Sequence, residues 1–122
     1  MKTNTKICIA YVAGCLINKR SYSSLTDHGE NKTIKMSGRI DFNNIDVRME
    51  DDGSKIVGAV RGNEISFFHS SEKGAIKMKI DGLNFKGNDS ETGKDFMGSV
   101  NGKAVKIYDY GDYQNFFFAL GE

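Results

Sequence analysis

The sequence predicts an all-β protein. It reads as an antiparallel meander of about five twenty-residue β-hairpin repeats, rolled into a flattened barrel or a two-layer sandwich. Three observations lead there. Apolar residues recur every twenty positions: Ile40, Val60, Ile80, Val100 and Leu120 form one column, and Ile45, Ile65, Phe85 and Val105 another. Within each unit apolar residues alternate at period two over short runs, the mark of strands with one buried face. Clusters of Asp, Asn, Ser and Gly separate the runs, and the chain has no Pro to interrupt a ladder.

Residues 1–21 stand outside the repeat and have two readings. Ile7, Ile9 and Tyr11 alternate with Cys8, Ala10 and Val12, so the segment reads as a strand buried on both faces, with a turn at Gly14 and a return at Leu16-Ile17. Such a strand would close the rolled sheet, and no stretch of ten or more residues shows helical periodicity. The other reading starts from Lys2 and Lys6 ahead of the apolar run, which resembles a secretory signal. Val12-Ala13-Gly14-Cys15 resembles a bacterial lipobox, which would make Cys15 a lipidation site and the protein an envelope lipoprotein. The apolar region is short for that role, and Lys19-Arg20 follows closely. The strand reading places the protein in the cytoplasm, with Cys8 and Cys15 reduced and buried. Membrane contact is expected only through a lipidated Cys15. Two cysteines define no disulfide framework, and a Cys8–Cys15 bridge stays open.

The hairpins occupy residues 22–120. The first, Ser23 to Ile40, fits loosely: Asp27 matches the Asp109 column and Ile34 the Phe116 column, with extra residues before Ile40. Terminal repeats are often atypical because they cap the array. In the second, Ile45 and Val47 lead into Glu50-Asp51-Asp52-Gly53, and Ile56 and Val60 return. In the third, Ile65 and Phe67 lead into a turn from His69 to Gly74, then Ile76, Met78 and Ile80. The fourth turns at Asn88–Gly93 between Phe85 and Phe96, and the fifth at Asp109–Asp112 between Ile107 and Phe116. The joints at Asp81-Gly82 and Asn101-Gly102 signal two-residue turns of type I′. Gly38, Gly58 and Gly98 share an inward strand column with Met78 and Phe118, which points to strong sheet coiling rather than a flat sheet.

One domain of 122 residues with a formal charge of +1 has no field to recruit nucleic acid, and no such partner is expected. Lys77, Lys79, Lys86 and Lys106 fall on outward strand positions and read as a solvated face. No phosphate loop, dinucleotide fingerprint, zinc spacing or paired inward carboxylates are found, so no catalytic residue, metal or cofactor is expected. Asn88 to Gly93 opens like a calcium loop but lacks the closing Glu. His69 with Ser70 and Ser71 is the one local nucleophile–base candidate, and an exposed turn would not preorganise it. Asp27, Asp89 and Asp109 are expected to fix their turns by bonding their own backbone two residues on.

The last repeat departs from its siblings. Tyr108, Tyr110, Tyr113 and Phe117 are aromatic where other units carry Arg48, Glu50, Lys73 or Lys77. Either this strand is covered, or the four residues form a contact patch for a partner. A third reading pairs the final strand with its counterpart in a second subunit. The expectation is a non-enzymatic protein-binding module, of the kind that small antagonist proteins use, with a small-molecule or glycan binder and the Cys15 lipoprotein as alternatives.

The run Gly102-Lys103-Ala104-Val105-Lys106-Ile107-Tyr108-Asp109-Tyr110, with an aromatic final strand ending in Leu120, resembles small uncharacterised bacterial proteins built from tandem hairpins with Tyr-Asp-Tyr turns. The resemblance covers the chain from about Ser23 onward. It departs in the middle units, where His69 replaces the Asp and Glu50-Asp51 the aromatic pair. It implies a bacterial origin and attaches no activity.

Overall fold

Each twenty-residue period is one hairpin. A computed structural model describes residues 1–41, 43–70 and 74–122. The hairpins are β1 (Ser24–Asp27) with β2 (Lys32–Ile40), β3 (Asn44–Met49) with β4 (Lys55–Arg61), β5 (Glu64–His69) with β6 (Ala75–Asp81), β7 (Asn84–Asp89) with β8 (Lys94–Asn101), and β9 (Ala104–Asp109) with β10 (Gln114–Gly121). Among the described residues these ten strands form a closed antiparallel barrel in sequential order. The barrel closes where β1 meets β10, with Leu25 opposite Leu120 and Asp27 opposite Phe118. Long turns lie at one mouth and short joints at the other, two residues long at Gly62-Asn63, Gly82-Leu83 and Gly102-Lys103.

The short turns differ from the expected type. Asp81 and Asn101 are the last strand residues, paired with Asn84 and Ala104. Gly62, Gly82 and Gly102 then take the first turn position, with φ of 63°, 63° and 59°. Their successors do not share a positive φ, which is the Gly-first pattern of type II′ rather than type I′. Both types match the strand twist, so the register is the one the spacing demands.

The N-terminal segment is not the expected strand. It forms α1 (Thr3–Asn18), a helix running through the lumen with every residue from Thr5 to Cys15 buried. It packs against strands on all sides of the barrel, including β1, β2, β5, β6, β8, β9 and β10. A helix buried all round has no polar face, so its sequence carries no 3.6-residue periodicity. The apolar run from Ile7 to Ile17 is longer than an ordinary strand, and that length was the available sign of a helix. The helix stops at Lys19, which takes the left-handed conformation (φ 58°) while the Arg20 amide bonds the Cys15 carbonyl at 3.1 Å. At the short-turn mouth the Asn18 side-chain amide donates to the Gly102 carbonyl at 2.8 Å.

Both cysteines are buried and neither is in a disulfide. Seven residues of helix separate them by about 10 Å, which rules out a bridge. Burial pushes the Cys15 thiol up to about 11, so it stays protonated and unreactive. Acylation at Cys15 would require α1 to lie outside the barrel. No helix among the described residues is long and apolar enough to cross a membrane.

Strand residues alternate as the pattern demands. Ile45, Val47, Ile56, Phe67, Phe96, Ile107 and Phe118 point inward and are almost fully buried. The expected glycine column marks where the wall coils most tightly. A Cβ on Gly98 would fall inside the contact distance of the Lys106 carbonyl oxygen and of the Phe85 ring, which lies across the ladder from it. Gly58 faces Phe67 in the same way. Large rings on one strand thus fill the space that glycines vacate on the next. Gly98→Ala is expected to lower stability by about 2 kcal/mol in urea denaturation. A change below about 0.5 kcal/mol would show that the wall has slack there.

Candidate functional site

The five long turns bring one inward column to a single mouth: Asp27, Met49, His69, Asp89 and Asp109, all buried. As expected, the aspartates fix their turns. Asp27 Oδ1 accepts from the Gly29 amide at 2.9 Å, Asp89 Oδ1 from Glu91 at 3.0 Å, and Asp109 Oδ1 from Gly111 at 2.8 Å. The same mouth receives the cationic start of α1. The Met1 ammonium lies 3.1 Å from Asp109, Lys2 pairs with Glu91 at 2.7 Å, and the Lys6 ammonium sits 3.5 Å from the Phe116 ring centre. Burial pushes the Asp109 carboxyl up, but the Gly111 amide and the Met1 ammonium outweigh it and hold its pKa below the ordinary value of 3.8.

Of the expected His69-Ser70-Ser71 set, His69 and Ser70 are among the described residues. The Ser70 hydroxyl accepts from the Lys55 amide at 2.9 Å, and Ser71 lies outside the described residues. The histidine instead turns inward, its Nε2 lying 2.9 Å from Ser54 Oγ and 3.0 Å from Met49 Sδ. Ser54 Oγ donates to Asp52 Oδ1 at 2.5 Å. Ser54 Oγ thus stands between the Asp52 carboxylate and the His69 ring and ties two long turns together. Hydrogen bonds from Ser54 hold the Asp52 carboxyl below the ordinary carboxylate range. Sequence spacing placed Ser54 in no such set, because its partner lies one hairpin away.

The larger feature is on the outside. A groove of about 1190 Å³ runs over β4 to β8. Its exposed large apolar side chains are Phe68, Met97 and Tyr110, exposed by 52%, 46% and 43%. Lys77, Lys79 and Lys86, expected as part of a solvated face, line it with Arg61, Glu64 and Asp95.

The four aromatic residues of the last repeat are divided by the structure. Tyr108 and Tyr110 stack edge to face with ring centres 4.9 Å apart, and Tyr110 Oη donates to Met97 Sδ at 3.1 Å, at the rim of the groove. Phe117 is exposed on the outer face of β10, opposite Lys106 and outside the groove. Tyr113 is 79% exposed at the tip of its turn and has a φ of 54°. Gly53 and Gly93 hold the same turn position at φ of 73° and 72°, and Asn31 at 52°. A tyrosine in that left-handed position costs about 1 kcal/mol, with no burial to offset it. Both edges of β10 are taken, by β9 and β1, so the strand pairing with a second subunit expected for it would require the barrel to open. The sequence missed Phe68 and Met97, which lie on the third and fourth hairpins and share the groove with Tyr110 through curvature of the wall.

Acid titration tests the electrostatics of the mouth. Folding lowers the Asp109 pKa, so its contribution is complete at neutral pH and is withdrawn as pH falls through and below the ordinary value of 3.8. Asp109→Asn keeps an acceptor for the Gly111 amide and removes only the charge. It is expected to cost about 1–3 kcal/mol at neutral pH, with the gap to the parent protein closing toward about pH 2. A gap that persists in acid would assign the loss to shape rather than charge.

No protein-family model, curated protein or solved structure matches the chain.

Proposed function

We propose that the protein is a non-enzymatic binding module that takes a protein partner on the outside of its barrel, in the groove over β4–β8. The observation that carries this reading is the grouping of Phe68, Met97 and Tyr110 around one concave surface, each about half exposed. Exposed apolar side chains scattered singly need no explanation, but a cluster in a groove with a polar border is the usual form of a contact site. Aromatic and methionine side chains are enriched at the centre of such sites. Tyr113 supports the reading, since an exposed ring is kept at a strained turn position that glycine fills in the second and fourth hairpins. The barrel supplies a rigid support with every groove strand paired on both sides.

The test uses a partner isolated from the source cell by cross-linking from position 68. Tyr110→Ala with Tyr113→Ala is expected to weaken that complex about tenfold or more while the protein stays folded. Tyr113→Gly alone should raise stability by about 0.5–1 kcal/mol as the turn strain is released. Unchanged affinity in the double variant would sink the reading, and a loss of stability in Tyr113→Gly would show that the ring has a packing role.

A further inference from the structure

We propose that the occupant of the groove is an extended acidic segment of the partner, with an apolar side chain seated beside Phe68 and Met97 and carboxylates on Lys77 and Lys86. The proposal rests on the binding-module reading and adds the partner's chemistry.

The charges point to an anion. Lys79 and Lys86 lie directly opposite one another across the β6–β7 ladder, and Lys77 is two residues along on the same face. Like charges directly opposite are destabilising in a sheet. Lys79 has Glu64 at 3.5 Å, but among the described residues neither Lys77 nor Lys86 has an ion-pair partner. Asp95 is engaged by the Asn88 side-chain amide at 3.0 Å. Four cations therefore face two carboxylates around the groove, in a chain whose formal charge is only +1.

The shape points to a peptide. Five adjacent strands span about 19 Å, the length of about six residues of extended chain. The groove exceeds the usual volume of a small-molecule pocket, about 300–1,000 Å³. Each of these strands is already paired on both sides, so the segment is held by its side chains and not added as a further strand. A single-stranded nucleic acid fits less well. Phe68 and Tyr110 stand on different hairpins and are not successive platforms for stacked bases.

The experiment is selection of random peptides displayed on phage against the folded protein, followed by anisotropy titration of the enriched peptides and of an oligothymidylate. Enriched peptides should combine acidic residues with an aromatic or large aliphatic one. They should lose about tenfold or more in affinity for Lys77→Glu with Lys86→Glu, and weaken as salt is raised. Neutral or basic peptides that are lost in Phe68→Ser but not in the charge-reversed variant would overturn the acidic partner and leave the binding module standing. No enrichment, or peptides indifferent to both variants, would overturn both. Tighter binding of the oligothymidylate, abolished by charge reversal, would replace the peptide with single-stranded nucleic acid. Lys77→Gln with Lys86→Gln, which adds no new charge, repeats the test should the reversed variant fold poorly.

Discussion

A ten-stranded barrel encloses more space than its own side chains can fill, and the fold depends on α1 filling it. Eight strands give a lumen just wide enough for interior side chains, whereas barrels of about eleven strands hold a central helix. Here Cys8, Ile9, Ala10, Val12 and Ala13 are wholly inaccessible to solvent, in the middle of a helix with no polar face. Burying a side chain the size of Ile or Val stabilises by about 1.5–3 kcal/mol, so the helix and the wall each supply apolar surface the other needs. Gly14 lets the helix approach most closely, because a Cβ there would meet the Leu120 side chain on the closing strand.

Charge sets which way the helix runs. Its first residues bring Lys2, Lys6 and the Met1 ammonium to the mouth that holds Asp27, Asp89 and Asp109. Cations at a helix N-terminus oppose its dipole, and carboxylates at that end relieve the conflict. The opposite mouth carries Lys19 and Arg20, where positive charge complements the helix C-terminus. The same aspartates also cap their own turns, so one column of residues both shapes the hairpins and receives the helix. With the interior committed to this packing, the outer face is the surface available for a partner, and it is there that the exposed apolar residues and unpaired lysines gather.

Much of the wall was legible because the twenty-residue repeat ties each residue to a structural position. The hairpins, the inward columns, the coiling glycines and the Asx turns all follow from local patterns that recur. The helix was hidden because periodicity reports a contrast between two faces, and a helix inside a barrel has only one kind of face. Its alternating apolar residues fitted a strand equally well, and length alone separated the two readings. The groove was only partly legible. Lys77, Lys79 and Lys86 were visible as outward residues, and Tyr110 as an aromatic departure from its siblings. Phe68 and Met97 became part of the same surface only through barrel curvature, which no local pattern encodes. Tyr113 is the reverse case: its left-handed turn position follows from the column of Gly53 and Gly93, yet the strain becomes evident only when the backbone angle is known.

The central claim is that the N-terminal segment is a helix inside the barrel, in contact with the closing strand. The most direct measurement is a nuclear Overhauser contact between the Gly14 α-protons and the Leu120 δ-methyls, read with the backbone chemical shifts of residues 3–18. The account predicts a strong contact and helical shifts throughout that segment. Extended or random-coil shifts with no contact to Leu120 would contradict it, and would leave the lumen to be filled in some other way.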